Sequence, residues 1–291
     1  MELAVSGSDL WVPPPERLAL TTEEVHVWRV GLQQQPWTIG MFLEALSADE
    51  RVRANKYHFY RDFESFVIAR GVLRNIISRY INVASRDIRF SYDQYGKPRL
   101  SSGDTSLCFS VSHSSGIALY AISQVDAVGV DIEYARENFS STEIAEHFFS
   151  ANEVATLRAL PAELRTVAFF NCWTRKEAYI KARGEGLSHP LNRFTVSIIP
   201  GQPARLLAAD DTKDTSCWTL MELSAGADYV ASLAVEGKVR SLRQWQWDDN
   251  TSVNSTPGVR SGSDVTTTVL EDAAMDLARN VRRTQRERKN E

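Results

Sequence analysis

Apolar and polar residues alternate along Val25-His26-Val27-Trp28-Arg29-Val30, the period of two that marks a strand with one buried face. The rhythm then changes. Ser47-Ala-Asp-Glu50 has capping-box spacing, in which the serine and glutamate side chains satisfy backbone N–H groups at a helix start. It predicts a helix rich in Arg51, Arg53, Lys56 and Arg61. Phe63, Val67, Leu73, Ile77 and Tyr80 recur at helical steps, so a further helix with one buried face follows. Arg70 falls inside that apolar stripe. A guanidinium there must pair with a carboxylate or reach a ligand phosphate, because an unpaired buried charge is costly. Beyond it, residues 88–92 read as a strand and Tyr95-Gly96-Lys97-Pro98 as a turn. Residues 109–113 and 117–122 read as strands around Ser114-Ser115-Gly116, and 128–133 as another.

A second capping box, Ser150-Ala-Asn-Glu153, resembles the first. The shift that carries Ser47 onto Ser150 also carries Phe66 onto Phe169, and one residue more carries Phe90 onto Phe194. The strand at 117–122 has a counterpart at 229–235. The pattern implies an α+β fold of two similar subdomains, each a helix packed on a small antiparallel sheet. After Arg240 the composition shifts. Residues 248–264 are rich in Ser, Thr, Gly, Asn and Asp, as in disordered linkers, and 270–291 read as a solvated basic tail or short helix.

Composition narrows the function. With 43% hydrophobic and 24% charged residues, the chain is ordinary for a globular protein, and a net charge of -4 argues against bulk nucleic-acid binding. Any phosphate site must come from a local basic cluster. No apolar run approaches the roughly 20 residues that span a bilayer, and the N-terminus lacks a secretory pattern. Cys108, Cys172 and Cys217 are widely spaced, which suits free thiols in a reducing cytoplasm.

Asp131 and Glu133, two apart in a strand, share one face while Val130 and Ile132 take the other. Paired carboxylates suit a hard ion such as Mg²⁺; two solvated acids on an edge strand are the alternative. In 169–181, Trp173, Glu177 and Lys181 form one helical column. Glu177 is then a third metal carboxylate with Lys181 facing a phosphate oxygen, or the two make a plain surface pair. Ser112 and Ser114 lack a G-x-S-x-G elbow, which disfavours a serine hydrolase, and the five histidines lack zinc-site spacing.

In order, Gly96-Lys97-Pro98, Phe109-Ser-Val-Ser-His113-Ser114, Val128-Gly-Val-Asp131-Ile-Glu133 and Trp173-Thr-Arg-Lys176-Glu177-Ala-Tyr-Ile-Lys181 resemble the surfactin-type (Sfp-type) 4'-phosphopantetheinyl transferases. The resemblance spans roughly residues 25–235. It implies two subdomains related by a pseudo-twofold axis, at 1–126 and 127–240, with coenzyme A in the cleft between them and a disordered tail at 241–291. It further implies Mg²⁺ held by Asp131, Glu133 and Glu177 against the pyrophosphate, with Lys181 facing the phosphates. Glu177 or a metal-bound water would deprotonate the acceptor serine. Ser112 and His113 match positions near the 3'-phosphate, and Lys97 and Pro98 match the adenine side. Of two family lysines near the 3'-phosphate, one is matched by Arg53 and the other by Glu50; a family threonine is Phe66, and Arg70 compensates.

The implied reaction moves phosphopantetheine from coenzyme A to a serine of an apo acyl or peptidyl carrier protein, releasing adenosine 3',5'-bisphosphate. A cytoplasmic monomer without nucleic-acid or membrane partners is expected. The rivals are a magnesium-dependent pyrophosphate hydrolase using the same acids and a carrier-binding module without catalysis.

Overall fold

The computed structural model describes residues 11–247, apart from 34–35, 102–105, 126, 137–140, 187–188 and 210–214. The expected linker (248–264) and basic segment (270–291) lie outside the described residues. The order of elements repeats. Strand β1 (Glu24–Gly31) leads into α1 (Pro36–Ala45), α2 (Ala48–Ala54) and α3 (Tyr60–Ile81). The short strands β2 (Phe90–Tyr92) and β3 (Pro98–Leu100) precede the hairpin of β4 (Cys108–Ser114) and β5 (Ile117–Ser123). The second half runs β6 (Val128–Tyr134), α4 (Ser141–Phe148), α5 (Ala151–Ala159) and α6 (Ala162–Arg183). It continues with β7 (Thr195–Val196), β8 (Leu206–Ala208), β9 (Trp218–Leu223) and β10 (Tyr229–Glu236). Pairing repeats too: β5 lies antiparallel between β1 and β4, and β10 lies antiparallel between β6 and β9. Both long helices have 22 residues and end on a left-handed residue, Asn82 (φ 53°) and Gly184 (φ 72°). This is an α+β fold of two related halves.

The shared spacing of the capping boxes has a physical basis in each half. Ser47 N–H and Ser150 N–H donate to Glu50 and Glu153, at 3.0 and 2.8 Å. Each glutamate then turns inward to a cation from the long helix. Glu50 Oε2 lies 2.6 Å from Arg74 Nε, and Arg74 donates to the Ile88 carbonyl and sits 5.1 Å from the Phe90 ring centroid. Glu153 Oε2 lies 2.8 Å from Lys176 Nζ, which donates to the Leu191 and Phe194 carbonyls and sits 4.3 Å from the Phe194 centroid. The glutamate, the cation and the aromatic ring thus form the same buried knot twice.

The alternation of β1 divides the core. Trp28 and Val30 join Tyr120 and Ile122 of β5 against α3, where Val67, Val72, Ile76 and Ile77 are buried. On the other face Val25 and Val27, with Leu119 and Ala121, meet Val130, Ile132 and Leu233. That second cluster joins the sheets of the two halves. Each such large apolar side chain contributes about 1.5–3 kcal/mol when fully buried.

Two expectations change. The segment after Ser47 is not one helix: α2 stops at Ala54, Lys56 lies in the connection and Arg61 belongs to α3. Asn55 N–H closes the last turn onto the Arg51 carbonyl, and the chain leaves the helical path before Phe59. Ser241–Gln246, expected in the tail, forms β11, parallel to β1 with Trp245 opposite Trp28. Trp247 is buried in the first core, so these residues protect the outer edge of β1.

Candidate active site

The strands β4 and β6 are outer strands of separate sheets, β11-β1-β5-β4 and β6-β10-β9. Serines on one face of β4 bridge them. Ser110 Oγ accepts the Val130 N–H at 3.1 Å, Ser112 Oγ donates to Asp131 Oδ1 at 2.7 Å, and Ser114 Oγ donates to Glu133 Oε2 at 3.0 Å. Ser114 Oγ also accepts the Tyr134 N–H at 3.1 Å. The alternation that places these serines on one face places Asp131 and Glu133 opposite them, because Val130 and Ile132 fill the core between the sheets. Asp131 is only 3% exposed and Glu133 half-buried, so the solvated edge-strand alternative does not hold.

Helix α6 crosses β6 at Gly129. A Cβ there would stand 2.0 Å from the Ala178 carbonyl oxygen and 2.5 Å from the Ala182 nitrogen, so only glycine admits the helix backbone this close. The crossing brings Lys181 onto Asp131. Lys181 Nζ lies 2.6 Å from Asp131 Oδ1 and donates also to Ser112 Oγ at 2.9 Å and the Val130 carbonyl at 3.3 Å. The plain Glu177–Lys181 surface pair is therefore not formed; lysine turns to the strand. Thr174 and Ser232, whose Oγ atoms are 2.9 Å apart, tie the same helix to β10.

The carboxyls feel one another. Burial, then the charge of Asp131, pushes Glu133 up to about 8. Burial and Asp131 likewise push Glu177 up to about 7. Burial works against the Lys181 ammonium, but Asp131 and Glu177 more than offset it and hold its pKa above the ordinary lysine value. Asp131 Oδ2 is buried with no hydrogen-bond partner. Among the described residues, no group of three His, Cys, Asp or Glu side chains is arranged to hold a metal ion as it stands. The donor chemistry still fits a hard cation: the available ligands are all carboxylate oxygens, one is orphaned, and the surplus negative charge is destabilised without a counter-ion.

The other expected site residues divide. Ser112 is bound to Asp131 and Lys181, and His113 beside it is exposed. Lys97 Nζ donates to the Lys181 carbonyl at 2.6 Å, which pins the turn before Pro98 to the C-terminal end of α6. Arg70 takes the carboxylate alternative: its Nε pairs with Glu50, its Nη2 donates to the Tyr92 hydroxyl at 2.6 Å, and its guanidinium lies over Phe90. Arg53 is exposed, 5.4 Å from the Phe66 ring centroid. The sequence pointed to Ser112 as a nucleophile or a neighbour of the 3'-phosphate and to Ser114 as a nucleophile, not to either as a partner of the acids, and it gave no sign of Gly129 as a contact point. The serine at every second position of β4 was the available signal.

Fold and site together define a class: a duplicated α+β protein with a lysine-bound acid cluster on the seam between its halves. Family models match both halves, the 4'-phosphopantetheinyl transferase superfamily over residues 127–234 and the 4'-phosphopantetheinyl transferase N-terminal domain over 33–124. The chain is 36% identical to the 4'-phosphopantetheinyl transferase HetI of Nostoc sp. over 239 residues, 81% of this chain and 98% of that relative. It is 32% identical to the 4'-phosphopantetheinyl transferase Sfp of Bacillus subtilis over 157 residues, 54% of this chain and 68% of Sfp. A solved structure, the holo-[acyl-carrier-protein] synthase of Thermotoga maritima, aligns with a TM-score of 0.31 at 20% identity over 39% of this chain and 64% of its own. The chain therefore belongs to the 4'-phosphopantetheinyl transferase superfamily, whose members transfer the 4'-phosphopantetheine moiety of coenzyme A to a serine hydroxyl of a carrier protein.

Proposed function

We propose that this chain modifies an apo acyl or peptidyl carrier protein in a Mg²⁺-dependent reaction, with Asp131, Glu133 and Glu177 as the residues that hold the ion. The observation that carries this reading is Asp131, with one oxygen on Lys181 and Ser112 and the other buried without a partner. When bound, the ion supplies charge neutralisation at the pyrophosphate and at the leaving oxygens. Lys181 adds a fixed positive charge beside the phosphates, where a preorganised cation costs no rearrangement during the reaction. Glu177, or a water held by the ion, would take the proton of the attacking serine, as a positioned general base does. The serine oxygen attacks the β-phosphorus, and adenosine 3',5'-bisphosphate leaves. Positioning and charge stabilisation supply most of the acceleration in such phosphoryl transfers.

Coenzyme A lies in this reading along the seam between the halves, with its nucleotide towards Lys97, Pro98, Ser112, His113 and Arg53. Arg70 supports that wall through Glu50 and Tyr92. Because the duplication supplies both walls, the chain acts as a monomer, and we place it in the cytoplasm, where carriers and coenzyme A meet. No helix of the described residues is long and apolar enough to cross a membrane. Incubation with coenzyme A, Mg²⁺ and an apo carrier should add the phosphopantetheine mass to the carrier. Release of bisphosphate without carrier would instead mark a pyrophosphate hydrolase.

A further inference from the structure

Three serines of β4 meet β6, and their chemistry differs. Ser110 Oγ accepts only a backbone N–H, that of Val130, whereas Ser114 Oγ meets both a backbone N–H and a carboxylate. A hydroxyl carries one proton. With the Tyr134 N–H donated to its oxygen, that proton is aimed at Glu133 Oε2, 3.0 Å away. Ser114 is 3% exposed, so water does not compete for this bond. Its backbone is fixed as well. The next two residues turn through positive φ, Ser115 at 43° and Gly116 at 86°, and the Tyr229 hydroxyl of the second half donates to the Ser115 carbonyl at 2.7 Å.

We propose that Ser114 is a positioning residue that fixes the carboxylate of Glu133 by holding Oε2, leaving the other oxygen to turn towards the metal ion. The inference rests on the reading of Glu133 as a metal ligand. Groups that orient a ligand through one hydrogen bond typically account for about 10–100-fold in metal affinity when removed. The arrangement also makes the metal site a property of both halves: the acid stands on β6, and its orienting hydroxyl comes from the hairpin of the first half.

The test is Mn²⁺ binding to the full chain saturated with coenzyme A, read from loss of the free-ion EPR signal, with thermal unfolding measured alongside. Ser114→Ala should weaken Mn²⁺ about 10–100-fold. Ser114→Thr, which keeps the hydroxyl, should bind as the parent does. Ser110→Ala, on the same strand face but touching no acid, should lower stability without moving the metal affinity. If Ser114→Ala does not fold, Ser114→Cys keeps the volume while donating weakly, and the same weakening is expected. Parent-like affinity in the folded Ala or Cys variant overturns the assignment, as does an equal loss in Ser110→Ala. If the parent itself binds no Mn²⁺, the metal reading fails and the role of Ser114 with it.

Discussion

Lys181 Nζ stands 2.6 Å from Asp131 Oδ1, so a half-buried lysine on the last turn of α6 and a buried acid in the middle of β6 form one unit. Three acceptors surround the ammonium: Asp131, Ser112 Oγ and the Val130 carbonyl. Lys181→Met should lower transfer by about 10²–10³, the scale for loss of one preorganised charge-stabilising group. Lys181→Arg should not restore it, since a planar fork does not fit where a compact ammonium is held on three sides. Single-turnover transfer to an apo carrier checks both; a fully active arginine variant would contradict the geometry.

Gly129 sets how near α6 comes to β6. In Gly129→Ala the added methyl meets helix backbone, not a flexible side chain, so the helix must shift. Overpacking of this kind costs about 1–3 kcal/mol. Transfer should fall with stability, because the displaced helix carries Glu177 and Lys181. Urea unfolding and transfer rate, measured on the same variant, test the coupling.

The buried knot of the second half can be separated from catalysis. Glu153→Ala leaves Lys176, which is 0% exposed, without its carboxylate, and should cost about 3–5 kcal/mol. Glu153→Gln combined with Lys176→Met should cost less, since no unpaired charge is left and the amide oxygen can still accept a backbone N–H that Glu153 holds. The folded fraction of each should keep the parent kcat. A large kcat loss in the stable double variant would show that the knot reaches the active site.

Acid should destabilise the protein through His26. Burial pushes its pKa down to about 4, and its Nδ1 lies 2.7 Å from the Tyr80 hydroxyl. The unfolded chain takes up the proton near pH 6.5 while the folded chain stays neutral to about 4. The stability from neutral His26 is therefore complete above pH 6.5 and is lost as pH falls towards 4, by at most about 3 kcal/mol. His26→Asn should flatten that part of the profile relative to the parent. Denaturant midpoints between pH 4 and 7 give the comparison.

Much of this was legible from the sequence where one element carried its own signal. The capping boxes at Ser47 and Ser150, the alternation around Val27 and the stripe from Phe63 to Tyr80 reflect local chemistry, and the duplicated α+β fold followed from their spacing. The shared face of Asp131 and Glu133 was also readable, because the strand period fixes it. Partner choice was not. Glu50 and Glu153 signalled helix caps, yet nothing local tells that each also meets a buried cation from a distant helix turn. In sequence Lys181 faced either a phosphate or Glu177, and only the close crossing at Gly129 brings it to Asp131. Strand β11 escaped notice because Leu242 and Trp245 sit among polar residues next to a polar stretch, and only the open edge of β1 gives them a partner.

The most direct test is a Mg²⁺ titration of phosphopantetheine transfer to an apo carrier, followed by carrier mass, for the parent and for Asp131→Ala. The parent should be inactive in chelator and saturate with Mg²⁺, while Asp131→Ala, folded by circular dichroism, should stay at least about 100-fold slower at every metal concentration. Parent-level transfer by Asp131→Ala, or undiminished transfer by the parent in chelator, would remove the metal from these carboxylates.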